Sequence, residues 1–331
     1  MPDKGKKKVL ITGALGFIGS VLCERLKTLH IVSGIDNGSK DLSSCKDYVL
    51  SSSDITDHEN IAELVNNYRP DIIVHCAGIA HQKFGSIGPG EYLRVNSRAS
   101  ENLARAGINA NPDVFFIFLS SISVYGEQKT NSPVSEDAKC APSSDYAESK
   151  LDGEKRLIKL HRAGLLKKLD ILRLAPVYDL QWSLNLDRRV FAPKKTAYLK
   201  FGSGAQTMSA LARPNLVDFI EHRLSCVNKR ADNNMFCNIF NVCDERAYEF
   251  NEMIEIFKKS SVQPSRIVLT VPLAFVRIAL SFAGFMLKGK RQWLNSCYDK
   301  LALNLVFDNK KMIDTGFKPG HSLYSVFLQE I

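Results

Sequence analysis

Residues 9–19 read VLITGALGFIG: a short apolar run that passes directly into glycines at 13, 16 and 19. A strand, a G-x-x-G-x-x-G turn and helical apolar spacing over 17–29 together describe a phosphate-binding loop. Glycine permits the tight turn and lets backbone approach a pyrophosphate. The helix N-terminus offers unpaired N–H groups and the positive end of a dipole. Glycines alone are weak evidence, but the next element agrees with them. Residues 31–35 read as a second strand, ending at Asp36, 17 residues beyond Gly19. A carboxylate there accepts hydrogen bonds from an adenosine ribose and repels a 2′-phosphate, so NAD is expected rather than NADP.

The alternation continues outward from this loop. Residues 61–68 read as a helix, 72–76 as a buried strand, 93–106 as a helix and 114–119 as a continuous apolar strand. A long helix over 146–163 and a strand over 169–174 follow. Apolar strands alternating with helices predict an α/β fold, a Rossmann doubly wound parallel sheet. After Pro176 the rhythm breaks. A helix is expected over 216–227, a strand over 239–242, and helices with short connections from 246 onward. The expected division is an NAD-binding domain of 1–176, to which 213–245 returns. A smaller, mostly helical C-terminal substrate domain would take 177–212 and 246–331.

Charge narrows the partners. The chain of 331 residues has 44 Lys plus Arg against 35 Asp plus Glu, a net +9. Residues 1–8 carry +3 and residues 258–300 carry +7, which leaves the remainder at −1. A near-neutral body has no basic face interleaved with aromatics, so nucleic acid is not an expected partner. The eight cysteines form no C-x-x-C pair and most sit in apolar runs. They read as buried free thiols of a reducing compartment, with no metal site. The first residues do not read as a signal peptide, and a cytoplasmic location is expected.

Tyr146 and Lys150, in Tyr-Ala-Glu-Ser-Lys, form a Y-x-x-x-K pair. Four residues on a helix place both side chains on one face, and an ammonium stabilises a nearby phenolate. The tyrosine then serves as general acid or base on a hydroxyl or ketone. Ser121 closes the strand 25 residues earlier and can bind the same substrate oxygen. Asp54 is a candidate acceptor for an adenine amino group, or else a helix N-cap for the segment starting near 57. His75-Cys76-Ala77-Gly78 ends a strand with small residues, as a flat cofactor surface requires. His81 follows soon after and is either a sugar-site residue or an ordinary loop histidine.

The motifs TGALGFIG, Asp36-Asn37, SSISVYGE and YAESK resemble those of the extended short-chain dehydrogenase/reductase family, in its nucleotide-sugar epimerase and 4-ketoreductase branch. LRLAPVY at 172–178, RPNLVDFI at 213–220 and Phe317-Lys318-Pro319 extend the likeness over most of the chain. The resemblance implies a catalytic Ser121, Tyr146 and Lys150. It also implies NAD contacts by Gly13, Gly16, Phe17, Ile18, Gly19, Asp36, Asn37, Asp54, Ile55, Ala77, Gly78, Tyr146 and Lys150, with Asn96 holding the geometry. A homodimer through helices near 95–106 and 146–163 is implied in the same way.

Dehydratases of this family carry Asp-Glu after the catalytic hydroxyl, where this chain has Ile122 and Ser123. Neither residue shuttles a proton at neutral pH, which argues against water elimination. A 4-epimerase and a 4-ketoreductase remain, both on a nucleotide sugar, and Asp36 leans toward an epimerase recycling NAD. Relatives often grip the diphosphate with an arginine where Met208 stands here. Arg213 or Arg188 and Arg189 are candidate substitutes, and Asn185 resembles a residue whose backbone meets the nucleotide.

Residues 267–287 read IVLTVPLAFVRIALSFAGFML. Pro272 suits a helix start and Lys288-Gly289 its end. Such a helix, at about 1.5 Å per residue, is about 24 Å long, short of the roughly 30 Å of a membrane core. Arg277, Ser281, Gly284 and Lys288 form one polar stripe. Either the helix packs into the substrate domain, or residues 267–293 make peripheral contact with a membrane inner face, helped by Lys288, Lys290, Arg291 and Trp293. The latter also keeps open a steroid-type or lipid-linked dehydrogenase of the same fold.

Overall fold

The computed structural model describes residues 5–38, 48–80, 87–126, 132–229, 235–286 and 291–328. Its centre is a seven-stranded sheet in the order β11-β6-β5-β4-β1-β2-β3. The strands are β1 Lys8–Thr12, β2 Ile31–Asp36, β3 Val49–Ser52, β4 Ile72–His75, β5 Phe115–Ser121, β6 Lys168–Leu174 and β11 Phe236–Val242. The pairings of β1 with β2 and β4, of β2 with β3 and of β4 with β5 are parallel. The order 3-2-1-4-5-6 is that of the doubly wound Rossmann fold, and the predicted fold class is the observed one. Covered on both faces, β4 is buried at every position and β5 and β6 at six of seven. Their sequences are accordingly continuous apolar runs rather than alternating ones.

Helices α1 Gly19–Leu26, α2 His58–Tyr68, α3 Pro89–Leu93, α4 Ala99–Ala110 and α5 Asp145–Arg162 connect these strands. Helix α5 shows why local sequence sets its bounds. The Ser144 side chain accepts from the Ala147 N–H, Asp145 and Glu148 lie in the first turn, and Lys159, His161 and Arg162 lie in the last. Each sign meets the opposite end of the helix dipole. Helix α2 is capped by Asp57, which accepts from the Asn60 N–H, and closes on Arg69 with a left-handed φ of 54°.

The strands Tyr248–Glu249 and Val268–Val271 interrupt the helices expected from 246 onward, and in the sheet domain three further elements differ from the sequence expectation. Strand β3, at Val49–Ser52, was not expected. It is an edge strand whose Ser51 and Ser52 are not fully buried, so it lacks an apolar signature. The helix expected over 17–29 starts only at Gly19, which leaves Phe17 and Ile18 in the turn. The single helix expected over 93–106 is α3 and α4 joined by a π-helical segment, Arg94–Arg98.

The chain divides into two compact units. Unit 1 comprises Met1–Val124, Ser144–Arg173 and Ile220–Phe240; unit 2 comprises Tyr125–Ser143, Leu174–Phe219 and Asn241–Ile331. Residues 125–143, 174–176, 213–219 and 241–245 thus group with unit 2, whereas the sequence sets them with the sheet domain. The core of unit 1 includes Leu10, Ile73, Leu103, Phe116, Phe118, Leu157 and Ile171.

Unit 2 is built from short pieces: β7 Val177–Tyr178, α6 Leu184–Val190, β8 Tyr198–Phe201, β9 Thr207–Met208, β10 Leu211–Ala212, β12 Tyr248–Glu249, α8 Phe250–Lys259, β13 Val268–Val271, α9 Leu273–Met286 and α10 Arg291–Ala302. The longer α7, Arg213–Lys229, begins in it. Its strands pair only in twos. Its core holds paired aromatics: Phe191 and Tyr198 stack with ring centroids 4.4 Å apart, and Phe257 and Phe327 meet edge to face at 4.9 Å. The Asp244 carboxylate accepts from the Ala212 N–H (2.8 Å), Asn215 (2.7 Å), Tyr178 (2.7 Å) and Tyr248 (2.9 Å). That network ties together elements too short to support one another.

Helix α9 packs along α10. Packing into the substrate domain holds for one side only. Leu273, Val276, Leu280 and Ala283 are half-buried, while Phe275, Ile278 and Phe282 point outward. Among the described residues no helix is long and apolar enough to cross a membrane.

Candidate active site

The sheet order reverses at β1, where Thr12 pairs with Ile35 on one side and His75 on the other. Connections leaving in opposite directions open a crevice beyond the carboxyl ends of the strands, the usual ligand position in such sheets. Gly13 turns there with φ +66°, and a Cβ on it would lie 2.9 Å from Ala77 backbone. A Cβ on Gly19 would lie 2.1 Å from the Gly13 carbonyl oxygen. Helix α1 starts without a side-chain cap and without an acid in its first turn, so nothing in that turn offsets its positive end. A glycine-only cradle before an acid-free helix N-terminus fits a pyrophosphate.

Asp36 stands at the end of β2, where the Leu15 N–H donates to its Oδ2 at 2.9 Å. That bond fixes the carboxylate beside the glycine turn. Asn37 follows it and is exposed. Asp54 does not cap α2; Asp57 does. The Thr56 N–H and hydroxyl donate to Asp54 Oδ1 at 2.9 and 2.7 Å, and these bonds hold its carboxyl below the usual range. Ile55 belongs to the unit 1 core.

A buried relay runs beneath the crevice. The Ala77 N–H donates to Thr12 Oγ1 (3.3 Å), and Thr12 Oγ1 lies 2.6 Å from His75 Nδ1. His75 Nε2 lies 2.9 Å from Ser100 Oγ, which donates to the Asn96 carbonyl at 2.9 Å. One donor order satisfies every atom: Thr12 donates to Nδ1 and Nε2–H donates to Ser100, which requires a neutral imidazole. Burial, then the nearby Lys150 charge, push the His75 pKa down to about 3.

Asn96 lies in the π segment and ties three elements together. Its Oδ1 accepts from the Ile79 N–H (2.8 Å), and its Nδ2 donates to the Ile79 carbonyl (2.9 Å) and to Ser149 Oγ (3.0 Å). Single widened turns of this kind occur often at functional sites.

Ser121 ends β5. The Ser123 N–H and hydroxyl reach its Oγ at 3.2 and 2.8 Å. Tyr146, in the first turn of α5, is close enough to Ser121 for the serine to act on its hydroxyl. One turn on, the Lys150 Nζ donates to the Leu119 carbonyl at 2.9 Å and lies 5.0 Å from the Phe118 ring centroid. A Cβ on Gly78 would come within 2.8 Å of Asn96 Oδ1 and 3.2 Å of that Nζ. Gly78, Asn96, Ser121, Tyr146 and Lys150 are thus held in one place within unit 1. Burial lowers the Lys150 pKa to about 8, so it remains mostly protonated at neutral pH. Burial raises the Tyr146 hydroxyl, and the nearby Ser121 opposes that rise. The expected downward pull of the lysine on the tyrosine is therefore not the dominant influence on the chain by itself.

Sequence reasoning missed the support under this set. Glu154, another turn along α5, accepts from Ser120 Oγ at 2.5 Å and from Arg173 on β6 at 2.7 Å, with both charges buried. A buried pair adds little net stability, but loss of either partner strands a charge. The available signal was Glu154 at four residues from Lys150, on the same helix face.

The arginines and Asn185 expected to hold the substrate belong to unit 2. Met208 is buried in the unit 2 core. Arg213 is ion-paired with Asp179, Arg188 is exposed and Arg189 half-buried on α6, and Asn185 is half-buried in the first turn of α6. His81 lies outside the described residues.

The sequence model of the NAD dependent epimerase/dehydratase family matches residues 9–178. Among curated relatives, the UDP-glucose 4-epimerase of Vibrio cholerae is 27% identical over 344 aligned positions, covering 98% of this chain and 95% of that protein. Two solved structures share the fold. The UDP-glucose-4-epimerase of Stenotrophomonas maltophila, with bound NAD and formylated UDP-arabinopyranose, superposes with a TM-score of 0.75 at 20% identity over 97% of this chain and 95% of that one. The UDP-glucuronic acid 4-epimerase of Bacillus cereus, in complex with NAD, does so with a TM-score of 0.70 at 21% identity over 96% and 95%.

Proposed function

Because the chain belongs to the NAD-dependent epimerase/dehydratase family, we propose that it is a nucleotide-sugar 4-epimerase acting on a UDP-hexose or UDP-N-acetylhexosamine at C4. The observation that carries this reading is the docking of α5 on the end of β5, where the Lys150 Nζ donates to the Leu119 carbonyl, two residues before Ser121, and Tyr146 lies one turn earlier on the same helix face. Gly13, Gly16 and Gly19 are assigned to the pyrophosphate, Asp36 Oδ1 to the adenosine ribose, Asp54 to the adenine, and Lys150 to the nicotinamide ribose. When bound, NAD supplies a reversible hydride acceptor.

Tyr146 Oη takes the proton of the C4 hydroxyl as that carbon is oxidised, and returns it to the same oxygen once the ketone has turned its opposite face to the cofactor. Ser121 Oγ holds the same oxygen in both half-reactions. Lys150 favours the phenolate by its charge. Ser123 bonds Ser121, and with Ile122 leaves no acid at the two positions where elimination needs one, so the reading excludes dehydration.

Incubation with UDP-galactose, UDP-N-acetylgalactosamine and a 4-keto-6-deoxy sugar nucleotide tests the reading. Interconversion of C4 epimers without added reductant supports it. Net NADH consumption on the keto sugar makes the chain a 4-ketoreductase instead. Tyr146→Phe is expected to lower turnover by about 10³-fold, within the usual 10²–10⁴ of general acid–base catalysis, while NAD affinity stays unchanged. Retained turnover would remove Tyr146 from the mechanism.

A further inference from the structure

We propose that the outer face of β13 and α9 is a docking surface for an anionic lipid bilayer. Among the described residues, six of the thirteen large apolar side chains that stand exposed fall within 267–282: Ile267, Val268, Leu269, Phe275, Ile278 and Phe282. Phe275, Ile278 and Phe282 are 67, 65 and 66% exposed. At about 100° per residue they lie within a sector of about 60°, so they form one ridge along α9. The opposite side of the helix is occupied by its own unit, through α10. Strand β13 runs into this helix through Pro272 and pairs with β8, which fixes its exposed residues to the same unit.

Charge selects the occupant. Residues 258–300 contain eight basic residues and a single acid, Asp299. Lys258, Lys259, Arg266 and Arg277 are exposed. An apolar ridge in a segment with this excess of cations meets the requirements of an anionic membrane surface: aromatic and aliphatic side chains enter the headgroup boundary while cations stay at the phosphates. A second copy of the chain is the poorer occupant, because a symmetric contact would set two such cationic segments against each other. Helix α9 has 14 residues, about 21 Å at about 1.5 Å each, which suits a helix lying in the interface plane rather than crossing it.

The test is retention of the full-length, NAD-loaded protein by vesicles, of phosphatidylcholine alone or mixed with phosphatidylglycerol, at low and high salt. The expected result is at least about tenfold tighter binding to the mixed vesicles, lost at high salt. Phe275→Ser with Phe282→Ser should abolish binding while thermal stability and NAD affinity are unchanged. Arg266→Gln, next to the exposed start of β13, should weaken it about fivefold, the effect of roughly 1 kcal/mol per surface cation. Equal retention by neutral vesicles, or none at low salt, overturns the proposal. So does a dimer in sedimentation velocity that the double serine variant dissolves, since the ridge is then a protein interface.

Discussion

Strand β5 and helix α9 are both apolar, and the fold uses them in opposite ways. In β5, Phe115 through Leu119 are no more than 5% exposed, closed in by β4, β6 and α5. In α9, three large side chains keep about two-thirds of their surface in water. The difference lies in neighbours, not in composition. Unit 1 has a wide sheet with helices to cover a continuous run of phenylalanines. Unit 2 has strands in pairs and helices of one to four turns, and it covers only one side of α9. An apolar stretch therefore stabilises the chain only where layers exist on both sides of it. Where they do not, the same residue types make a surface.

The sharpest way to break this contrast is Phe116→Ala in the buried element. Phe116 is fully buried, and the substitution should cost about 3–5 kcal/mol in urea unfolding. A cost under about 1 kcal/mol would mean that β5 is not the close-packed element described. Smaller, and specific to the buried site, is the acid response of His75. Its pKa of about 3 lies below its unfolded value of 6.5, so the unfolded chain binds more protons between the two. The contribution is complete above pH 6.5 and falls as pH drops toward 3, by at most about 1.4 kcal/mol per pH unit. Comparison of His75→Gln with the parent protein in urea at successive pH values should show a flatter acid limb in the variant; parallel curves would refute a buried neutral imidazole. Smallest is Phe282→Ser on α9, which should change unfolding free energy by no more than about 0.5 kcal/mol. A loss of several kcal/mol would place Phe282 in a core instead.

Much of unit 1 was legible because its signals are local. The glycine turn, Asp36 and the Y-x-x-x-K pair are set by spacing along the chain, and spacing survives folding. Ser121, Tyr146 and Lys150 come together because a strand end and a helix start each have a fixed geometry. The relay from Ala77 through Thr12, His75 and Ser100 was not legible, since it joins residues 12, 75 and 100 through sheet register. Strand β3 escaped notice because an edge strand needs no apolar run. Unit 2 was harder still. Asp244 gathers its donors from β7, β10, α7 and β12, and no periodicity announces such a convergence. Met208, noted in sequence as a missing cation, proves to be a core side chain.

The widened turn at Arg94–Arg98 sets a condition on chain length. A π segment holds one residue more than an α-helix would place there, and removing any one residue between 94 and 98 would let α3 and α4 merge into one regular helix. The merger would remove the widened turn that carries Asn96. Asn96 could then no longer face Ile79 and Ser149 together, even with its identity unchanged. The site thus depends on a count as well as on a residue. A single-codon deletion here would be more damaging than most substitutions along the same run, and a compensating insertion would have to fall within the same turn.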